Sequence, residues 1–153
     1  MSATMKGRLN LGIVFLAFLI YLLCSPFLKA CYAEKSKPAA KSSKLFVLWT
    51  SGDKEVALPG PAFLYPTYSK SKGWWDEIRF IVFGPSEKLL AEDAEIQENI
   101  KKMQEAGVEV IACKWCADKY GITEKIESLD IKVFYVGEIM TEMLKGGWAT
   151  LTF

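Results

Sequence analysis

Four stretches of this chain are continuously apolar and rich in strand formers, namely Leu45-Phe46-Val47-Leu48-Trp49, Ile78 to Phe83, Val108 to Ala112 and Ile131 to Val136. Continuous rather than alternating character predicts strands covered on both faces, which is the habit of a parallel sheet. A fifth, shorter strand is expected at Ala149 to Phe153. Between these runs the period changes. From Asp93 to Ala106, Ile96, Ile100 and Met103 recur on one helical face, and Gly107 stands where a helix stops. Thr123 can cap a short helix through Leu129, and Ile139 to Leu144 predicts another, closed by Gly146-Gly147. Asp53 to Gly73 is less regular. Pro59, Pro61 and Pro66 are expected to break it into pieces, with some helix from Pro61 onward. Strands alternating with helices predict a three-layer α/β sandwich of flavodoxin or Rossmann type, with a mostly parallel sheet of about five strands. In that architecture sites lie at the carboxyl ends of the strands.

The amino-terminal end follows a different pattern. Lys6 and Arg8 precede the apolar run Leu11 to Cys24, with small residues following at Ala30, Cys31 and Ala33. The run is shorter than the roughly 20 residues that span a bilayer comfortably, so the layout is that of an export signal, cleaved near Ala33. Two other outcomes stay open: a retained anchor, because Phe27 and Leu28 extend the apolar stretch past Pro26, and a lipoprotein, because Leu28-Lys29-Ala30-Cys31 resembles a lipobox. The division expected is a signal or anchor at 1–33, a polar linker at 34–43 and one α/β domain at 44–153. The protein is therefore expected to be exported and periplasmic, touching a membrane only through its leader.

Composition narrows the chemistry. Nineteen basic and eighteen acidic residues, scattered along the chain, argue against a nucleic-acid partner. The 153 residues include no histidine, which removes the commonest general base, the usual zinc ligand and any Ser-His or Cys-His pair. Chemistry must come from cysteine, carboxylate or lysine. With Cys24 and Cys31 in the leader, the domain retains Cys113-Lys114-Trp115-Cys116, directly after the third strand. Backbone N–H groups at the start of the next helix, together with Lys114 and Lys119, would favour a thiolate at Cys113, and Asp118 opposes them. Three readings compete for the pair. Two cysteines cannot fill a tetrahedral metal shell within one chain. A thioredoxin-type dithiol fits an exported protein, although Gly121 cuts the following helix short. The third reading is an inert or structural pair.

The motif Gly107-Val108-Glu109-Val110-Ile111-Ala112-Cys113-Lys114-Trp115-Cys116-Ala117-Asp118-Lys119-Tyr120-Gly121-Ile122 has a third strand ending in Val-x-Val-x-x-Cys, a cysteine three residues on and Gly-Ile eight residues after the first cysteine. In this it resembles the DsrE/DsrF-like family, and the likeness extends over most of Lys44 to Phe153. The resemblance implies a domain that assembles into trimers or hexamers and, as in the sulfur-relay members, a cysteine that passes persulfide sulfur between protein partners. That cysteine maps onto Cys113, with Lys114 stabilising its anion, Cys116 as a resolving thiol and no organic cofactor. A non-catalytic oligomeric binding module and an extracytoplasmic dithiol oxidoreductase are the alternatives.

Other features have plainer explanations. Thr50-Ser51-Gly52-Asp53 can offer N–H groups to an anion but is more often an ordinary turn. Trp74-Trp75 suits edge packing, and Glu92-Asp93-Ala94-Glu95 suits a solvated helix start. Trp49, Phe63, Tyr65 and Tyr68 are expected to form a hydrophobic wall beside Cys113.

Overall fold

A computed structural model describes residues 43–58 and 60–153. The leader expected at 1–33, and all of the linker except its last residue, lie outside the described residues. In chain order the elements are β1 (Lys44–Trp49), α1 (Lys54–Ala57), α2 (Pro61–Ser71), β2 (Glu77–Val82), α3 (Pro85–Glu92), α4 (Ala94–Glu105), β3 (Glu109–Cys113), α5 (Lys114–Tyr120), α6 (Thr123–Glu127), β4 (Lys132–Phe134), α7 (Val136–Lys145) and β5 (Ala149–Thr152). No described helix is long and apolar enough to cross a membrane.

All five strands are parallel, in the order β4-β3-β2-β1-β5. This order explains the layering. From β1 to β4 each connection steps the same way across the sheet, and right-handed crossovers then place every intervening helix on one face. The step from β4 back to β5 runs the other way, so α7 must lie on the opposite face.

The cores follow this division. Leu45, Val47, Trp49, Ile78, Phe80, Val82, Val110 and Ala112 meet Leu90, Ile96, Ile100, Met103 and Ile126 on the first face. Phe46, Ile81, Ile111 and Cys113 meet Val136 and Met143 of α7 on the second. Because α7 is alone there, the amino-terminal part of the second face stays polar. Lys44, Glu77, Arg79, Glu109 and Lys132 form a run of ion pairs at 2.8 to 3.0 Å, three across neighbouring strands and one, Arg79 with Glu77, within β2. Such part-exposed pairs contribute roughly 0–1 kcal/mol each. The apolar part of this face is left to the carboxyl end, where Cys113 sits.

Several sequence expectations need correction. Asp53 to Gly73 does divide into two helices, α1 and α2, with helix from Pro61 onward, but Pro66 does not break α2. Pro61 occupies the first turn, where its missing N–H is harmless, and the helix runs through a buried Pro66 to Ser71. Next to Pro66, Thr67 Oγ1 donates to the Phe63 carbonyl at 2.7 Å. The fourth strand is an edge of three residues with exposed ends, not a strand covered on both faces, and Val136 already belongs to α7. Helix α3, between Gly84 and Asp93, was not anticipated at all. The acidic run is where α3 ends and α4 begins: Asp93 caps α4, accepting from the N–H groups of Glu95 and Ile96 at 2.9 and 3.1 Å.

Candidate active site

The site is built where β2 and β3 end. Val82 pairs with Ala112 in register, and the two chains then part. After β2 the backbone turns at Gly84, whose φ of 73° and ψ of −131° suit only glycine, and Pro85 opens α3. Ser86 fixes this turn from inside: its fully buried hydroxyl donates to the Trp49 carbonyl at 2.7 Å and accepts from Phe83 N–H at 3.1 Å. The third residue of α3 is Glu87, and the geometry above it aims its carboxylate over the end of β3.

Cys113 is the last residue of β3 and the N-cap of α5, and Cys116 lies in the first turn of that helix. The α5 helix ends where Gly121 adopts a left-handed conformation, φ 67°. Glu87 Oε1 accepts the Cys113 N–H at 2.8 Å. Its other oxygen, Oε2, is buried and has no hydrogen-bond partner. One carboxylate oxygen of Glu87 and the two sulfurs all lie within 4.8 Å of one another. None of the three is open to solvent: Glu87 is 0 % exposed, Cys113 4 % and Cys116 2 %.

Burial dominates the electrostatics. Desolvation lifts Glu87 to about 8, outweighing the opposing hydrogen bond from Cys113 N–H. Cys116 is pushed up to about 12, first by burial and then by the adjacent Cys113, against a smaller opposing hydrogen bond from Gly84. At neutral pH the site therefore holds a protonated carboxyl group beside a protonated Cys116 thiol.

Cys113 stands at the carboxyl edge of the sheet, as its sequence position implies, but it is covered rather than freely reachable. Lys114 is committed elsewhere: Asp118 holds its ammonium through both oxygens at 2.8 and 2.9 Å, an exposed pair that raises the lysine and lowers the aspartate. Lys119 lies over the Trp115 ring. The expected aromatic wall is also misplaced. Trp49, Phe63 and Tyr65 belong to the first face, whereas Cys113 belongs to the second, and Tyr68 is half exposed against Trp74. Alternation along β1 and β3 decides this: Trp49 and Ala112 point one way, Cys113 the other. Cys113 shares its buried cluster with Phe46, Ile81, Ile111, Cys116, Val136 and Met143, and Phe134 lies beside it in register on β4.

Glu87 is the residue that sequence reasoning missed. An acid in the first turn of a helix is ordinarily a solvated, dipole-favoured residue, so Pro85-Ser86-Glu87 carries no local sign of burial. Only the parallel pairing of β2 with β3 brings it to Cys113, 26 positions away. With Glu87 the cluster supplies three donors, one short of a closed structural zinc shell, and no fourth joins it among the described residues.

The fold and site define an α/β domain with a buried carboxyl–dithiol cluster at the carboxyl edge of a parallel sheet. The sequence model of the DsrE/DsrF-like family matches residues 82–153, a span that includes Glu87, Cys113 and Cys116. A conserved protein of unknown function from Bacteroides thetaiotaomicron, BT1422, is 36 % identical and superposes with a TM-score of 0.71, over 74 % of this chain and 99 % of that one. The chain belongs to the DsrE/DsrF-like family. The ychN protein of E. coli (15 % identity, TM-score 0.56) and MTH1491 of Methanobacterium thermoautotrophicum (17 %, 0.54) each cover 72 % of this chain and 99 % of their own, and share the fold alone. No curated protein matches the chain.

Proposed function

We propose that this protein is a sulfur carrier in which Cys113 holds persulfide sulfur, with Cys116 as the resolving thiol. The observation that carries the reading is the gathering of both sulfurs and the Glu87 carboxylate within 4.8 Å at the carboxyl ends of β2 and β3. In loading, the Cys113 thiolate attacks the outer sulfur of a donor persulfide. The sulfur–sulfur bond of the donor breaks, leaving the donor thiolate and Cys113–S–SH. Transfer onward is the same displacement, with an acceptor thiolate attacking the outer sulfur and Cys113 leaving as thiolate. A covered site suits this chemistry because it shields the persulfide from water and oxidants between the two displacements. The protein works in this reading as an exported homo-oligomer, a trimer or hexamer, exchanging sulfur with protein partners and needing no organic cofactor.

Two other readings have observations in their favour. The burial of both thiols favours a non-catalytic oligomeric module with structural cysteines. The placement of Cys113 as N-cap and Cys116 in the first turn of α5 favours a dithiol oxidoreductase. One experiment separates them. The protein is treated with a persulfide donor and analysed by intact-mass and peptide mass spectrometry. A sulfur carrier gains the mass of one sulfur atom at Cys113, loses that gain in Cys113→Ser and keeps it in Cys116→Ser. Absence of any gain, with both thiols slow towards alkylating agents, favours the module. An oxidoreductase reduces insulin disulfides and loses this activity equally in both variants.

A further inference from the structure

We infer that Glu87 is the proton-handling residue of this site: its unpartnered oxygen exchanges the proton that must leave Cys116 and reach the departing sulfur when Cys116 resolves a persulfide on Cys113. The inference rests on the sulfur-carrier reading and adds a residue and a reaction to it. Three observations carry it. Glu87 Oε1 is fixed by the Cys113 N–H at 2.8 Å, which leaves Oε2 as its free end. Oε2 is a fully buried polar atom with no hydrogen-bond partner, a state that costs about 1–3 kcal/mol and is seldom kept without use. One oxygen of the carboxylate and the two sulfurs lie within 4.8 Å of one another.

The step balances without an outside reagent. Cys116 passes its proton to the Glu87 carboxylate while its sulfur attacks the inner sulfur of Cys113–S–SH. The Cys113–Cys116 bond forms as the bond to the outer sulfur breaks, and the departing HS− takes the proton from Glu87 and leaves as H2S. The sulfane sulfur is reduced to sulfide and the two cysteine sulfurs are oxidised to a disulfide. A thiol as strongly disfavoured as anion as Cys116 needs a local proton acceptor to attack at neutral pH. Glu87 serves as that acceptor in its ionised form, which it reaches as pH rises towards about 8.

Competing groups are turned away from it. Cys113 and Cys116 face Glu87 from β3 and α5. Lys88 on α3 is exposed over Tyr120, Lys114 and Asp118 pair with each other, and Lys119 lies over Trp115. On α4, Gln97 donates to the Leu90 and Ala91 carbonyls, while Glu95 is exposed and paired with Lys54. Glu124, Lys125 and Glu127 on α6, and Glu138 and Glu142 on α7, are exposed.

The test compares the full-length protein with Glu87→Gln and Glu87→Asp, using polysulfide as the sulfur source. Sulfide release is followed in a single turnover across the pH range after loading has been measured by mass. Per molecule loaded, Glu87→Gln is expected to release sulfide at least about 100-fold more slowly than the wild type, and to lose the inflection near pH 8. Glu87→Asp, which retains an ionisable group, is expected to recover part of the rate and an inflection. Ultraviolet titration of thiolate provides a readout independent of sulfur: with the neighbouring carboxylate removed, the Cys116 thiol of Glu87→Gln should ionise at lower pH than that of the wild type. Wild-type release rates in Glu87→Gln, or superimposable thiolate titrations, overturn the inference. If the wild type does not load at Cys113, the carrier reading falls and the release step with it. The titration then decides separately whether Glu87 is coupled to the thiols. Should Glu87→Gln fail to melt cooperatively, the rate and titration of Glu87→Asp decide the same question.

Discussion

Replacing Glu87 with glutamine removes a buried ionisable group while keeping its shape, and the consequence is a change in how stability depends on pH. In the unfolded chain Glu87 titrates near its ordinary value of 4.5, and in the fold at about 8. Between those limits the folded protein holds a proton that the unfolded chain has released, so stability falls as pH rises through the window. The contribution of the retained proton is fully present below about pH 4.5 and gone above about 8. Each pH unit inside the window is worth about 1.4 kcal/mol. At neutral pH the acid therefore costs about 3 kcal/mol relative to a group that does not ionise, and above pH 8 about 5 kcal/mol, an order-of-magnitude figure. This is a large share of the roughly 5–15 kcal/mol that keeps a domain folded. Glutamine keeps an oxygen for the Cys113 N–H, although its buried NH2 group can cost about 1–3 kcal/mol where it finds no acceptor. That offset is the same at every pH. The decisive quantity is accordingly the difference between variant and wild type, measured by urea unfolding from about pH 5 to 9 and followed by circular dichroism. Glu87→Gln should gain on the wild type by several kcal/mol across this range. Parallel stability curves for the two proteins would refute the claim that the carboxyl group is desolvated in the fold.

Three further outcomes follow from the same turn and its neighbours. Ser86→Ala removes the hydroxyl shared by the Trp49 carbonyl and the Phe83 N–H, which keep their own direct bond at 3.0 Å, and is expected to lower stability by about 1 kcal/mol in chemical denaturation. Gly84→Ala meets no atom within 4 Å, yet its φ of 73° strains any side chain; a loss of about 1–3 kcal/mol is expected, read from the same curves. Asp93→Ala removes the cap of α4 and one of the two carboxylates that hold Lys54, and should cost about 1 kcal/mol, or about 4–8 °C in the thermal midpoint of a domain of this size.

The sequence alone determined the class of the fold. Covered strands reveal themselves through unbroken apolar runs, and α4 through the spacing of Ile96, Ile100 and Met103 together with Gly107. It also placed Cys113 at a strand end ahead of a helix, because the change from strand to helix is a local change of period. Tertiary structure decided the rest. Whether Cys113 faces Trp49 or α7 depends on strand pairing and on the alternation of faces, to which a continuously apolar run gives no clue. Glu87 is the clearest case. Its sequence neighbours describe an ordinary solvated helix start, and only the packing of α3 over the end of β3 removes its water and gives it two sulfurs for company. Desolvation is a property of what surrounds a group in space, and no local pattern of residues records it.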